Sequence, residues 1–293
     1  MTSDPDRSSV FRVGPAQKPL EPWAESGDSG SMRIALAQCN STTDPHANLE
    51  MVRDHVARAA AAGAEVVVFP EATMCSFARP RPEAAQRLDG AWAAEVRTLA
   101  SAAGVLVVVG MFTSTGSQRV RNTLLATGRG VEAHYDKIHL FDALGYAESD
   151  QIEAGDTAVV VELGTSRIGL ATCYDIRFPS LFTHLASQGA EVILVPASWA
   201  PGPGKVAQWR TLAIARAMDS TSFVVAVDQA EPPPVSGSRQ PTGVGHSMVV
   251  DPFGTVLLEL GTEPELAMVD LDLADAAVAR ERLPVLRHAR RFD

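Results

Sequence analysis

A chain of 293 residues, 46% of them hydrophobic, is long enough to bury a full core. Its formal net charge of -10, from 25 basic against 35 acidic side chains, offers no positive footprint for a phosphate backbone, so nucleic acid is excluded as an expected partner. Three scattered cysteines, Cys39, Cys75 and Cys173, make neither a disulfide framework nor a CxxC pair, which fits a reducing cytoplasm, and no run of eighteen apolar residues predicts a membrane span.

Residues 1–31 are polar, contain Pro and Gly and end in "ESGDSGS", with neither the basic nor the apolar stretch of a signal peptide. They read as a flexible extension, with Met32 as an alternative start. From residue 33 strand and helix signals alternate. "RIALAQC" (33–39) is strand-like, "PHANLEMVRDHVARAAAAG" (45–63) is a helix stopped by Gly63, and "EVVVFPE" (65–71) is a buried strand that Pro70 brings to its end. "AWAAEVRTLASAAG" (91–104) is the next helix, followed by the strand "VLVVVGMFT". "RVRNTLLAT" and "VEAHYDKIHL" then form a hairpin around Gly128 and Gly130. Beyond a connector come the strands "TAVVVEL" and "SRIGLATC", the helix "FPSLFTHLASQG" and the strand "AEVILVPAS". "WRTLAIARAMDS" is a helix expected to turn Leu212, Ala215 and Ala217 to Met218 toward a sheet, and "TSFVVAVD" a further strand. A Pro/Gly-rich loop, "QAEPPPVSGSRQPTGVG", leads to three more strands in "HSMVVD", "TVLLEL" and "LAMVDLDL". The end is helical up to Pro284 and then basic and exposed, either docking on a partner subunit or forming the last surface segment. The expected division is an extension over 1–31, one domain over 32–288 and a tail over 289–293.

Two units repeat: "RIALAQC" resembles "RIGLATC" (167–173), and "GAEVVVFPE" (63–71) resembles "GAEVILVPA" (189–197). Near-continuous apolar strands need cover on both faces. The repeat therefore predicts an α/β protein of two similar halves whose sheets stack, helices outside, as a four-layer α-β-β-α sandwich. One large doubly wound sheet is the rival arrangement.

Polar side chains just past the carboxyl ends of strands converge on a crevice. Glu71, Lys137 and Cys173 occupy such positions, and a carboxylate, an ammonium and a thiol are the parts needed to attack an unreactive carbonyl. Each also has a plainer reading. Glu71 could open a short helix and benefit from its dipole, Lys137 could be a solvated hairpin residue, and Cys173 could fill the core. Cys39 holds the place of Cys173 in the first half but is followed by "NSTTDP" rather than "YDIRFP", so Cys173 is the better nucleophile. Cys75 reads as structural.

"VVVFPEA", "YDKIHLFD" and "GLATCYDIRFP", in this order, resemble the carbon-nitrogen hydrolase family, also called the nitrilase superfamily, and most closely its omega-amidase-like and deaminated-glutathione-amidase-like branch. The likeness runs from about Met32 to about residue 288, including "PASW", "WRTLAIARAMDS" and "GHSMVVDPFG". It implies the four-layer sandwich, a homodimer or larger homo-oligomer, and hydrolysis of a small carboxylate-bearing amide with no cofactor and no metal. Carried over by position, it makes Glu71 the general base and acid, Lys137 the oxyanion stabiliser, Cys173 the nucleophile that passes through a thioester, and Glu148 in "YAESD" a second glutamate that positions substrate and supports proton transfer. The backbone N–H of Tyr174 would join Lys137 at the oxyanion.

Arg177, four residues after the nucleophile, can offer a fork to a substrate carboxylate or form a surface salt bridge. Trp199, past the "VILVPAS" strand, reads as a pocket wall. The chain departs from the branch in "WAPGPGKVAQW", which replaces the usual Thr-Thr-Gly-Pro-Ala-His-Trp type of segment; Lys205 there either adds a positive charge for an anionic substrate or points to solvent. A nitrilase or an N-carbamoyl amino acid amidohydrolase would use the same three residues, and a scaffold protein that kept the fold is the non-catalytic alternative.

Overall fold

A computed structural model of the protein describes residues 30–78, 81–232 and 242–290. Nearly all of the expected extension, the centre of the Pro/Gly-rich loop and the final tail residues lie outside the described residues.

The first half runs β1 (Ser31–Gln38), α1 (Pro45–Ala61), β2 (Val66–Val68), α2 (Arg81–Ala84), α3 (Ala91–Ala103), β3 (Leu106–Ser114), β4 (Val120–Gly128) and β5 (Val131–Asp136). A two-stranded hairpin, β6 (Asp142–Ala143) and β7 (Tyr146–Ala147), connects it to the second half. There follow β8 (Val159–Leu163), β9 (Ser166–Leu170), α4 (Pro179–Ser187), β10 (Val192–Ala197), α5 (Lys205–Ser220), β11 (Phe223–Asp228), β12 (Met248–Val250), β13 (Val256–Glu259) and β14 (Glu265–Asp272). Two short helices, α6 (Ala274–Arg282) and α7 (Val285–His288), close the described chain, with Leu283 and Val285 between and within them exposed.

Two six-stranded sheets result, ordered β14-β1-β2-β3-β4-β5 and β13-β12-β11-β10-β9-β8. Each has a parallel centre, β1/β2/β3 or β9/β10/β11, flanked by antiparallel strands. The duplication read from the two repeated segments is therefore a duplication of topology: β1 matches β9, β2 matches β10, and α1 matches α4. One strand crosses between the halves. β14, at the far end of the sequence, pairs with all of β1 and completes the first sheet, in the place that β8 takes beside β9.

The parallel strands read as unbroken apolar runs because both their faces are buried. Ile34, Leu36, Val66, Val68, Leu106 and Val108 face the other sheet, where Ile168, Leu170, Val192, Leu194 and Val225 meet them. The alternate residues Ala35, Ala37, Val67, Val107 and Val109 face α1 and α3, which bring Leu49, Val52, Val56, Trp92 and Val96. Burying each larger aliphatic side chain contributes about 1.5–3 kcal/mol. Local signals set the helix ends. The Asp44 carboxylate accepts from the His46 N–H at 2.9 Å ahead of α1, and Gly104 ends α3 at φ 67°.

The expectation for the face of α5 needs correction. Lys205, Trp209, Ala213, Arg216, Ala217 and Ser220 are its buried residues; Ala217 is among those expected, but Leu212 and Ala215 are only partly buried, and Met218 is 51% exposed. The helix also starts earlier than expected, at Lys205, because Gly204 adopts φ 71° and turns the "PGPG" segment directly into it. Trp209, fully buried and donating from Nε1 to the His246 carbonyl at 2.9 Å, then fixes the rotation. Among the described residues no helix is long and apolar enough to cross a membrane.

Candidate active site

Glu71 lies three residues beyond β2, Lys137 directly after β5 and Cys173 three residues beyond β9. The topology brings all three to one end of the sandwich, where Glu148 joins them from a short 3-10 turn after β7. They are buried: 1% exposed for Glu71, 2% for Lys137, 3% for Glu148 and 7% for Cys173. Lys137 Nζ donates to Glu71 Oε1 at 2.9 Å and to Glu148 Oε2 at 2.8 Å. Neither plainer reading of these two residues survives, since Lys137 is not solvated and Glu71 sits in a turn rather than opening a helix.

The Glu71 turn is shaped by backbone. Ala72 adopts φ 58°, the Glu71 carbonyl accepts from Gln229 Nε2 at 2.9 Å, and Gly110 of β3 lets the turn pass close by. A Cβ on Gly110 would stand 2.6 Å from Ala72 N and 2.8 Å from the Pro70 carbonyl oxygen. Glu71 Oε2 accepts from the Ser198 backbone N–H at 2.8 Å, and Oε1 accepts from Asn122 Nδ2 at 2.7 Å.

Cys173 begins a 3-10 turn, Cys173–Arg177, at φ 47°, a left-handed conformation that costs a non-glycine residue about 1–2 kcal/mol. Asp175, fully buried, holds that turn. Its Oδ2 accepts from the Thr172 N–H at 2.8 Å and the Tyr135 hydroxyl at 2.7 Å, and its Oδ1 accepts from the His139 N–H at 3.0 Å and lies 2.7 Å from His139 Nδ1. Tyr135 and His139 flank Lys137 by two residues on either side. One carboxylate thus ties the cysteine turn to the lysine segment, and the His139 ring is further fixed by stacking on Phe178 at 3.6 Å.

Burial pushes the Glu71 carboxyl up, as does the charge of Glu148, while Lys137 pulls it down; the net direction is upward. Burial also works against the Lys137 ammonium, but Glu148 and Glu71 outweigh it and hold its pKa well above the usual lysine range. For the Cys173 thiol, burial and then the Glu71 charge raise the pKa well above the usual value, and Lys137 opposes them. The resting site is therefore a neutral thiol beside a permanent ammonium and a carboxylate whose proton affinity is enhanced. Asp228, buried beneath the site, is pushed up to about 7 by burial, against hydrogen bonds from the Val244, Trp199 and Gln229 N–H groups.

A pocket of about 370 Å³ opens above Cys173. Phe77, Phe141, Tyr146, Tyr174 and Trp199 form its apolar walls, and Arg177 and Lys205 stand at its edge. Trp199 lines the pocket, its backbone N–H held by Asp228 Oδ1 at 2.7 Å and its indole N–H donating to the Lys205 carbonyl at 3.1 Å. Arg177 makes no salt bridge to a surface acid among the described residues; it donates to Gln208 Oε1 at 2.7 Å. Lys205 turns inward. The other cysteines take no part: burial pushes the Cys39 thiol up to about 12, and the buried Cys75 Sγ faces the Thr43 carbonyl at 3.5 Å. Among the described residues no group of three His, Cys, Asp or Glu is placed to hold a metal ion.

Sequence reasoning missed Asn122, which donates to both Glu71 and Glu148, at 2.7 and 3.2 Å. A polar amide inside the apolar run of β4 was the available signal. Asp175 and Asp228 were missed as supports, although Asp175 stands two residues past Cys173 and Asp228 is the last residue of β11.

A buried thiol, an ammonium held by two carboxylates and an apolar-walled pocket, on a duplicated sandwich, define an enzyme that hydrolyses carbon–nitrogen bonds. The chain belongs to the carbon-nitrogen hydrolase family, whose model matches residues 33–281. It is 50% identical over 270 residues, 89% of this chain and 96% of the relative, to a protein named only as a hydrolase in Mycobacterium tuberculosis. Similarity to a deaminated glutathione amidase of Escherichia coli O157:H7 is 32% over 264 residues, covering 88% of this chain and 97% of the relative. Among solved structures, an amidase variant from Nesterenkonia sp. AN1 superposes with a TM-score of 0.72 at 28% identity, covering 88% of this chain and 96% of that one. That structure shows the acetamide moiety of fluoroacetamide added covalently at the active-site cysteine.

Proposed function

We propose that the enzyme hydrolyses a small amide bearing a carboxylate, releasing ammonia through a Cys173 thioester. The observation that carries this reading is the Lys137 ammonium bonded to Glu71 and Glu148 at 2.9 and 2.8 Å on the floor of the pocket that Cys173 lines. Glu71 takes the thiol proton as Sγ attacks the amide carbon, and the carbonyl π electrons move onto oxygen. Lys137 and the Tyr174 N–H, in the first turn of the 3-10 segment, stabilise that oxyanion; a donor of this kind is worth about 3–4 kcal/mol, on the order of 10²–10³ in rate. Collapse breaks the carbon–nitrogen bond, and protonated Glu71 gives its proton to the departing ammonia. Water, deprotonated by Glu71, then attacks the thioester carbon, and Sγ leaves with the proton returned. The raised proton affinity of Glu71 suits a group that must both take and give a proton near neutrality.

A carboxylate on the substrate is supported by Arg177, whose guanidinium is on the pocket edge with a neutral side-chain partner. The test is ammonia release from succinamate, alpha-ketoglutaramate, deaminated glutathione, a simple nitrile and an N-carbamoyl amino acid, with Cys173→Ala as the control. Turnover confined to acid-bearing amides and lost in the variant is expected. Turnover of the nitrile or the carbamoyl compound alone, or a fully active Cys173→Ala protein, would overturn the reading.

A further inference from the structure

Lys205 occupies a position where, among the described residues, the fold offers aromatic faces but no counter-charge. It is the first residue of the sixteen-residue α5, its own N–H bonded to the Gly202 carbonyl at 3.1 Å, and a cation there sits at the unfavourable end of the helix dipole. Its side chain is nevertheless drawn inward, and the residue is only 8% exposed. Among the described residues its ammonium has neither an ion-pair nor a hydrogen-bond partner. What surrounds it is aromatic: Nζ lies 5.5 Å from the ring centroids of both Phe141 and Trp199. The rings attract the ammonium, but a nearly buried cation with aromatic faces and no carboxylate beside it is placed to receive an anion.

Arg177 shares that setting. Its Cζ is 5.1 Å from the Trp199 centroid and 6.0 Å from that of Tyr174. Burial and the neighbouring guanidinium hold Lys205 below the usual lysine range, while Cys173, when ionised, acts on it in the opposite sense, so all three groups lie within electrostatic reach of one another. Both cations line the inner pocket with Cys173 and also an outer groove of about 870 Å³ that includes Pro201, Gly202 and Pro203. They stand at the neck between the two spaces, one on the 3-10 turn of the nucleophile and the other on the segment where this sequence departs from its branch.

We propose that Lys205 and Arg177 together hold the substrate carboxylate, and that Lys205 is a specificity-determining residue that places acid-bearing amides above neutral ones. This rests on the amidase reading of the site. The carboxylate supplies the counter-charge that neither cation has among the described residues.

Succinamate and butyramide share the amide and both methylenes and differ in a carboxylate against a methyl group, so the pair isolates the charge. Lys205→Met should lower kcat/KM for succinamate about 10- to 100-fold, chiefly through KM, and change butyramide by less than about threefold. Lys205→Arg should restore most of the succinamate activity. The Lys205→Met, Arg177→Met double variant should lose less than the product of the two single losses, because both side chains bind one group. Equal losses on both amides, or no loss on succinamate, would overturn the assignment. If another acid-bearing amide is turned over instead of succinamate, the same comparison is made on that amide; if the wild-type enzyme releases ammonia from none of them, the amidase reading fails by itself, and calorimetric binding of succinamate to the Cys173→Ala protein still decides the role of Lys205. Binding weakened by Lys205→Met supports the clamp; no binding, or binding indifferent to the change, overturns it.

Discussion

The Ser198 backbone N–H donates to Glu71 Oε2 at 2.8 Å across 127 residues of sequence. Ser198 stands in "GAEVILVPAS" where Ala72 stands in "GAEVVVFPEA", so the carboxylate of one half is fixed by the matching strand end of the other. The second half has Ala197 where the first has Glu71. That single difference, together with the fate of Cys39, leaves a symmetric scaffold with one site rather than two.

Glu71→Gln separates the proton-transfer role from the charge. Turnover should fall about 10²–10⁴-fold, the usual worth of a positioned general base. The Glu71 charge is the second cause, after burial, of the raised Cys173 pKa, so its removal should move the pH profile of iodoacetamide labelling at Cys173 toward lower pH. A profile that stays in place or moves upward would show that Glu71 does not act on the thiol.

Asp175→Asn tests the link between the cysteine turn and the lysine segment. An amide keeps one acceptor oxygen where the carboxylate offers two, so groups now bonded to one of its oxygens lose their acceptor. Leaving them unsatisfied should cost about 1–3 kcal/mol of stability. Misplacing Cys173 relative to Lys137 should reduce kcat about 10- to 100-fold with little change in KM. A raised KM at unchanged kcat would place Asp175 in substrate binding instead.

Gly110→Ala should harm the site from beneath. The new methyl group meets backbone atoms of Pro70 and Ala72, at 2.8 and 2.6 Å, which cannot yield as a flexible side chain would. The Glu71 turn must shift, so activity should fall together with about 1–3 kcal/mol of stability. Gly261→Ala, with open space around its added Cβ, is the matched control and should leave both unchanged. Full activity in Gly110→Ala would show that the turn tolerates displacement.

Much of this was legible in the sequence because the information was local or repeated. The repeated segments exposed the two halves, and the strand-end rule found Glu71, Lys137 and Cys173 without any knowledge of their contacts. What escaped depended on distant parts of the chain. β14 joins the first sheet through pairing with β1, which no local pattern records. The rotation of α5 follows Trp209, whose indole is bonded to a carbonyl far along the chain, so periodicity alone misjudged Leu212 and Met218. Asn122 looked like an ordinary strand residue until Glu71 and Glu148 were brought to it by β2 and β7.

Glu148→Gln should move the acid limb of the pH–activity profile. In the proposed mechanism Glu71 must be ionised to take the thiol proton, so kcat/KM should fall as pH drops through the Glu71 pKa, which burial and the Glu148 charge both raise. Neutralising Glu148 removes one of those causes. It also leaves Lys137 with Glu71 as its remaining carboxylate partner, and a stronger pull from the ammonium lowers the Glu71 pKa further. Both effects have the same sign, so the acid limb should shift to lower pH. The plateau rate should fall about tenfold or more, because Lys137, Asn122 and the Phe141 N–H must then share one acceptor oxygen in place of two. Measuring kcat/KM against pH in the wild type and the variant checks this. A lower plateau with an unmoved limb would mean that a group other than Glu71 controls the acid side, and a limb shifted upward would mean that Glu148 stabilises the ionised form of Glu71 rather than opposing it.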